Sequence, residues 1–103
     1  MRTKLIVHLS LSEKDTKKYV VDVEGKRIHF GAAGYSDFTK HKDPTRKANY
    51  VRRHKARENW RKSGIKTAGF WSRWLLWNKP TLKESISSIE QRFNIIIRRR
   101  QQQ

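Results

Sequence analysis

Residues 67–77 read TAGFWSRWLLW, and the fold is decided there. Thr67 is a side-chain acceptor for the free amides of a first helical turn, and Asn78 and Pro80 end the run, so the spacing predicts a short helix from Ala68 to Trp77. Phe70, Trp71, Trp74, Leu75 and Trp77 leave that helix apolar nearly all round, which suits a core element and not a surface one. Tryptophans in such a setting each bury some 150–250 Å². The remaining segments are therefore expected to pack around this one.

Working outward toward the C-terminus, Thr81-Leu82-Lys83-Glu84 is a capping box. Behind it Leu82, Ile86, Ile89 and Phe93 recur at helical spacing and predict another helix with one apolar face. Ile95-Ile96-Ile97 is β-branched and available as a further strand, and Arg98 to Gln103 reads as a basic, polar tail. Working toward the N-terminus, Asp43-Pro44 is a strong helix start, because Asp caps free amides and Pro suits the first helical position. The pattern predicts a helix from Pro44 to Lys62, stopping at Ser63-Gly64 and about 30 Å long at 1.5 Å per residue. Its apolar content is thin, chiefly Ala48, Tyr50, Val51, Ala56 and Trp60.

Before that helix the period changes from 3.6 to 2. Leu5, Val7, Leu9 and Leu11 alternate with Ile6, His8 and Ser10, the signature of a half-buried strand. Tyr19 to Glu24 and Arg27 to Phe30 flank Gly25-Lys26 and predict a hairpin. Gly31-Ala32-Ala33-Gly34 ends its second strand, and a loop continues through Phe38. The expected fold is α+β in a single domain over 1–103: a small antiparallel sheet of three strands, with Ile95–Ile97 as a candidate fourth, then three helices. Its parts are a β-rich portion (1–31), a helical portion (43–93) and the tail (98–103).

Charge carries the functional argument. The chain has 25 Lys and Arg against 9 Asp and Glu, a formal net charge of +16. Such a balance costs self-repulsion and marks proteins that bind nucleic acid or other anions. It is concentrated: residues 39–66 hold eleven bases and two acids, while residues 1–38 hold seven and five. The candidate phosphate contacts are Lys40, Arg46, Lys47, Arg52, Arg53, Lys55, Arg57, Arg61 and Lys62, with Arg98, Arg99 and Arg100 as a secondary clamp. Helical spacing would bring Arg46, Arg53, Arg57 and Trp60 to one side. Bases so arranged neutralise phosphates without reading sequence.

Other chemistries find less support. There is no cysteine, so neither disulfides nor thiolate metal sites are available. His8, His29, His41 and His54 include no pair at zinc-ligand spacing, and a metal-nuclease reading of His41, Asn49 and His54 places His41 in a basic loop. No Ser-His-Asp or Cys-His set can be drawn, so no enzyme, cofactor, metal or small-molecule substrate is expected. Gly31 to Gly34 lacks the ending of a phosphate-binding P-loop. The longest apolar run, Phe70 to Trp77, falls short of the roughly 20 residues that a membrane span requires.

The run Gly34-Tyr35-Ser36-Asp37, His41-Lys42-Asp43, Tyr50-Val51-Arg52-Arg53-His54, Glu58-Asn59-Trp60 and Thr67 to Pro80 resembles a family of short basic proteins of large nucleocytoplasmic DNA viruses, which includes iridoviruses, phycodnaviruses and relatives of mimivirus. The likeness covers residues 29–93, and the Trp-rich stretch is its specific part. It implies a virion-associated protein acting in the particle or in the cytoplasm or nucleus of an infected cell, and it brings no catalytic residue with it. The expected function is sequence-independent binding of nucleic acid. The alternative is a minor capsid protein that cements larger capsid proteins through their acidic surfaces or bridges them to an anionic inner membrane.

Overall fold

A computed structural model describes residues 4–100. Strands β1 (Leu5–Leu11), β2 (Lys17–Val23) and β3 (Lys26–Ala32) form an antiparallel meander. Their pairing sets Val7 against Val23 and Leu9 against Val21, and Val21 in turn against Ile28. The alternating residues thus bring one apolar face together. The hairpin turn is Glu24-Gly25, one residue earlier than the pattern suggested. Both residues have positive φ, 51° and 85°, as a two-residue turn matched to strand twist requires. The Asp22 carboxylate accepts from the Gly25 amide at 3.1 Å, which leaves Lys26 to begin β3.

Two helices follow: α1 (Phe38–His41), a single turn in the expected loop, and α2 (Pro44–His54). Next come the helical turn α3 (Ala68–Trp71) and α4 (Leu82–Phe93). The Trp-rich segment continues α3 into a π-helical turn, Ser72–Leu76, closed by the Trp77 amide on the Ser72 carbonyl at 3.1 Å. The wider turn still packs Trp71, Trp74, Leu75 and Leu76 into one core with Val7, Val21, Phe30, Ile89 and Ile97. The indole N–H of Trp71 donates to the Ile65 carbonyl at 2.7 Å and that of Trp74 to the Trp60 carbonyl at 2.9 Å. Burial of these rings therefore leaves neither donor unpaired.

The fourth strand exists, but its direction departs from the expected antiparallel sheet. After the left-handed cap at Asn94, φ 57°, β4 (Ile95–Arg99) runs parallel to β1, with Leu5 beside Ile95 and Val7 beside Ile97. The sheet is mixed, in the order β3-β2-β1-β4. Arg98 and Arg99 are thereby strand residues and not part of a tail. The Arg100 amide extends the pairing to the Leu9 carbonyl at 2.7 Å, and Gln101 to Gln103 lie outside the described residues. No helix is long and apolar enough to cross a membrane among the described residues.

The predicted helix from Pro44 to Lys62 is the largest correction, since α2 ends at His54. The chain turns so that the Glu58 carboxylate returns to His54 Nδ1 at 2.8 Å. Asn59 then organises a tight loop. Its side chain accepts from the Arg61 amide at 3.0 Å and donates to Ser63 Oγ at 3.0 Å, while its carbonyl crowds Gly64. A Cβ on Gly64 would lie 2.1 Å from that oxygen.

Candidate functional site

Helix α2 is held to the body at few points. Asp43 accepts from the Thr45 and Arg46 amides at 2.9 and 3.4 Å, giving the expected cap. Tyr50 is the helix's one buried residue. Its ring stacks on Trp77 at 4.5 Å, 2° from parallel, and His54 stacks on it at 4.3 Å. Burial, with the nearby Glu58 charge adding to it, pushes the Tyr50 phenol up to about 12.

That attachment leaves the bases of α2 and the following loop outward. Arg46, Arg52, Arg53, Lys55, Arg57, Arg61 and Lys62 are exposed, as are Lys40 on α1 and Arg98, Arg99 and Arg100. Eleven of the twelve predicted phosphate-binding side chains therefore lie in solvent. Lys47 does not. Its ammonium donates to the Asn78 carbonyl at 2.6 Å and sits 5.0 Å from the centre of the Phe38 ring. Desolvation, then repulsion from Arg73 and Lys79, lowers its pKa. Lys47 ties α2 to the turn after the Trp-rich segment. The predicted grouping of Arg46, Arg53, Arg57 and Trp60 on one helical side does not form, because α2 stops before Arg57. Trp60 is half-buried against the core.

Where the carboxylates go matters as much. Among the described residues, ion pairs join Lys18 to Asp37 (2.5 Å), Arg27 to Glu13 (2.6 Å) and Lys66 to Glu24 (3.2 Å), and the remaining pairs involve His29 and His54. None of the twelve predicted bases has an acidic partner there. The acids in these pairs serve the sheet, its loops and His54, and those in the basic segment, Asp43 and Glu58, cap α2 and meet His54, so none offsets the exposed bases directly.

A second cationic group has little signature in the sequence. The Arg73 and Arg92 guanidinium carbons each lie 4.4 Å from the Trp74 ring centre, and Arg73 also lies 5.4 Å from that of Trp60. Burial first, and then the charge of Arg92, lowers the Arg73 pKa. The only sequence signal is a lone arginine inside an apolar run, which is otherwise a costly place for a charge.

Several titratable side chains make contacts that tie elements of the fold together. Lys18, Tyr50, His54, Glu58 and Trp77 border a cleft of about 340 Å³. Buried Asp37 at its wall accepts from Lys18, from the Thr39 amide at 2.9 Å and from the Thr39 hydroxyl. The Glu58 carboxylate packs against Gly69 so closely that a Cβ there would lie 1.8 Å from Oε1. His41 Nδ1 accepts from the Asp43 amide at 3.0 Å. No three His, Cys, Asp or Glu side chains converge as metal ligands among the described residues.

With this geometry in place, the chain can be set against known proteins. Residues 7–54 match a family of unknown function (DUF5754). The match covers a little under half of the chain, from within β1 to the last residue of α2, and so includes the basic helix but not the Trp-rich segment. No curated protein and no solved structure matches.

Proposed function

We propose that this protein is a non-catalytic polyanion-binding protein that holds nucleic acid by its phosphates, without sequence readout. One observation carries the reading: eleven exposed bases on α1, α2, the loop after it and the β4 end of the chain lack an acidic partner among the described residues. Phosphates would replace the small counterions that such a surface otherwise collects, and release of those ions drives binding. The likeness to virus-encoded basic proteins supports a setting in or near a virus particle, with the genome as ligand.

The test is the salt dependence of binding. Anisotropy of a labelled oligonucleotide, titrated across ionic strengths, should give a steep log-log slope. Replacing Arg52, Arg53, Lys55 and Arg57 together by Gln should flatten that slope by about 0.7–0.9 for each phosphate no longer neutralised. An unchanged slope, or no binding at low salt, would overturn the reading.

A second reading, the capsid cement protein, has one observation in its favour. One side of α2 carries a shallow, mostly apolar hollow of about 540 Å³ bordered by Pro44, Ala48 and Val51, with Lys47, Arg52 and Lys55 around it. An acidic protein surface with an apolar centre would suit it. Val51→Glu separates the two readings. It should abolish cementing of capsid proteins, yet change oligonucleotide affinity only by the charge it adds.

A further inference from the structure

Three large apolar residues are exposed among the described ones: Ile6, Leu11 and Tyr35, at 39, 53 and 74 %. Two of them, Leu11 and Tyr35, face one shallow hollow of about 520 Å³, which Tyr19, Lys18 and Lys40 also border. Tyr35 is thus an aromatic ring left largely in water, beside a second, half-buried tyrosine.

The loop that carries it is well anchored. The Tyr35 amide donates to the Ala32 carbonyl at 3.3 Å. Two residues on, Asp37 is buried and bonded to Lys18 and Thr39. The ring therefore stands on a fixed base, which lowers the ordering cost of any contact it makes. Charge flanks it as well. Lys40, at the rim of the hollow, is exposed and has no acidic partner among the described residues, while burial and then the Asp37 charge push the Tyr19 phenol pKa up. Lys18, neutralised by Asp37, adds little.

A flat exposed ring with an exposed cation, Lys40, at the rim of the same hollow has the chemistry of a base-stacking site, in which the ring takes the face of a base and the cation a neighbouring phosphate. A duplex offers no such face, because its bases are stacked on one another. We infer that the Tyr35 hollow stacks unpaired nucleobases, so that the preferred ligand is single-stranded nucleic acid; this rests on the polyanion reading above.

The experiment compares a labelled single-stranded oligothymidylate with a duplex of equal length, using the full chain. Wild type should bind the single strand more tightly. Tyr35→Ala should weaken single-strand binding about 5- to 150-fold, as expected when one stacked base loses its platform, while leaving the salt slope and the duplex affinity unchanged. Tyr35→Phe should keep wild-type affinity. Because the ring is exposed, Tyr35→Ala should keep the wild-type melting temperature. Equal single-strand affinity in Tyr35→Ala and wild type, or an equal loss on the duplex, would overturn the inference while salt-dependent binding survives. Absence of binding to either nucleic acid would remove the polyanion reading and this one with it.

Discussion

Helices α2 and α4 are 11 and 12 residues long, and each starts at a side-chain cap, Asp43 in one and Thr81 in the other. Helix α4 buries Ser85, Ile86, Ile89 and Phe93, whereas α2 buries Tyr50 alone. Intrinsic helix-forming features are therefore similar, and tertiary packing separates the two. One helix completes the core, while the other hangs from a single stacked ring and a lysine tether and presents its remaining length to solvent. The exposed bases therefore sit on the one of the two that contributes less to the core.

The largest test of this contrast is truncation. Ile89→Ala on α4 should cost about 2–5 kcal/mol in chemical denaturation, the usual range for a fully buried aliphatic side chain. Val51→Ala on α2, half-buried, should cost less than about 1 kcal/mol. Equal losses would break the contrast. Alkaline titration sharpens it. With its phenol raised to about 12 against an ordinary 10, Tyr50 contributes stability that is complete below pH 10 and lost as pH rises from 10 to 12. The linked loss is about 3 kcal/mol, and Tyr50→Phe should remove that step from a stability-pH profile.

The caps should behave alike despite the difference in packing. Asp43→Ala and Thr81→Ala should each cost about 1 kcal/mol, measured by thermal melts. The smallest effect is expected where function is proposed. Arg46, Arg52 and Arg53 changed together to Gln should move stability by no more than about 0.5 kcal/mol. A larger loss would mean that these side chains support the fold.

The elements read best from sequence are those whose signals are local. The alternation in β1, the Thr81 cap of α4 and the Asp43-Pro44 start each specify their own neighbourhood, and each is present, although Glu84 accepts from the Thr81 hydroxyl and not from its amide. The end of α2 is not legible, because what stops it is distant or side-chain specific. No Gly or Pro interrupts residues 55–62; the helix is ended by Glu58 turning back toward His54 and Gly69, by Asn59 organising its loop, and by Trp60 lending its carbonyl to Trp74. The parallel placement of β4 is hidden for the same reason, since Ile95-Ile96-Ile97 announces a strand but not its partner. Of the candidate site, exposure of the bases follows from composition. The inward turn of Lys47, the Arg73–Arg92 pair on Trp74 and the bare ring of Tyr35 depend on packing that no periodicity encodes.

The β1–β4 pairing also bears on how the molecule comes into being. Strand β1 is central in the finished sheet, yet one of its two neighbours lies about 90 residues further along the chain. On the ribosome β1, β2 and β3 can zip together early, but the outer side of β1 stays an open edge until β4, about 90 residues further on, has emerged. Pairing between such distant residues slows folding, and an unpaired apolar edge invites association with other chains. Newly made copies should therefore pass through an interval of aggregation risk that closes only when β4 docks.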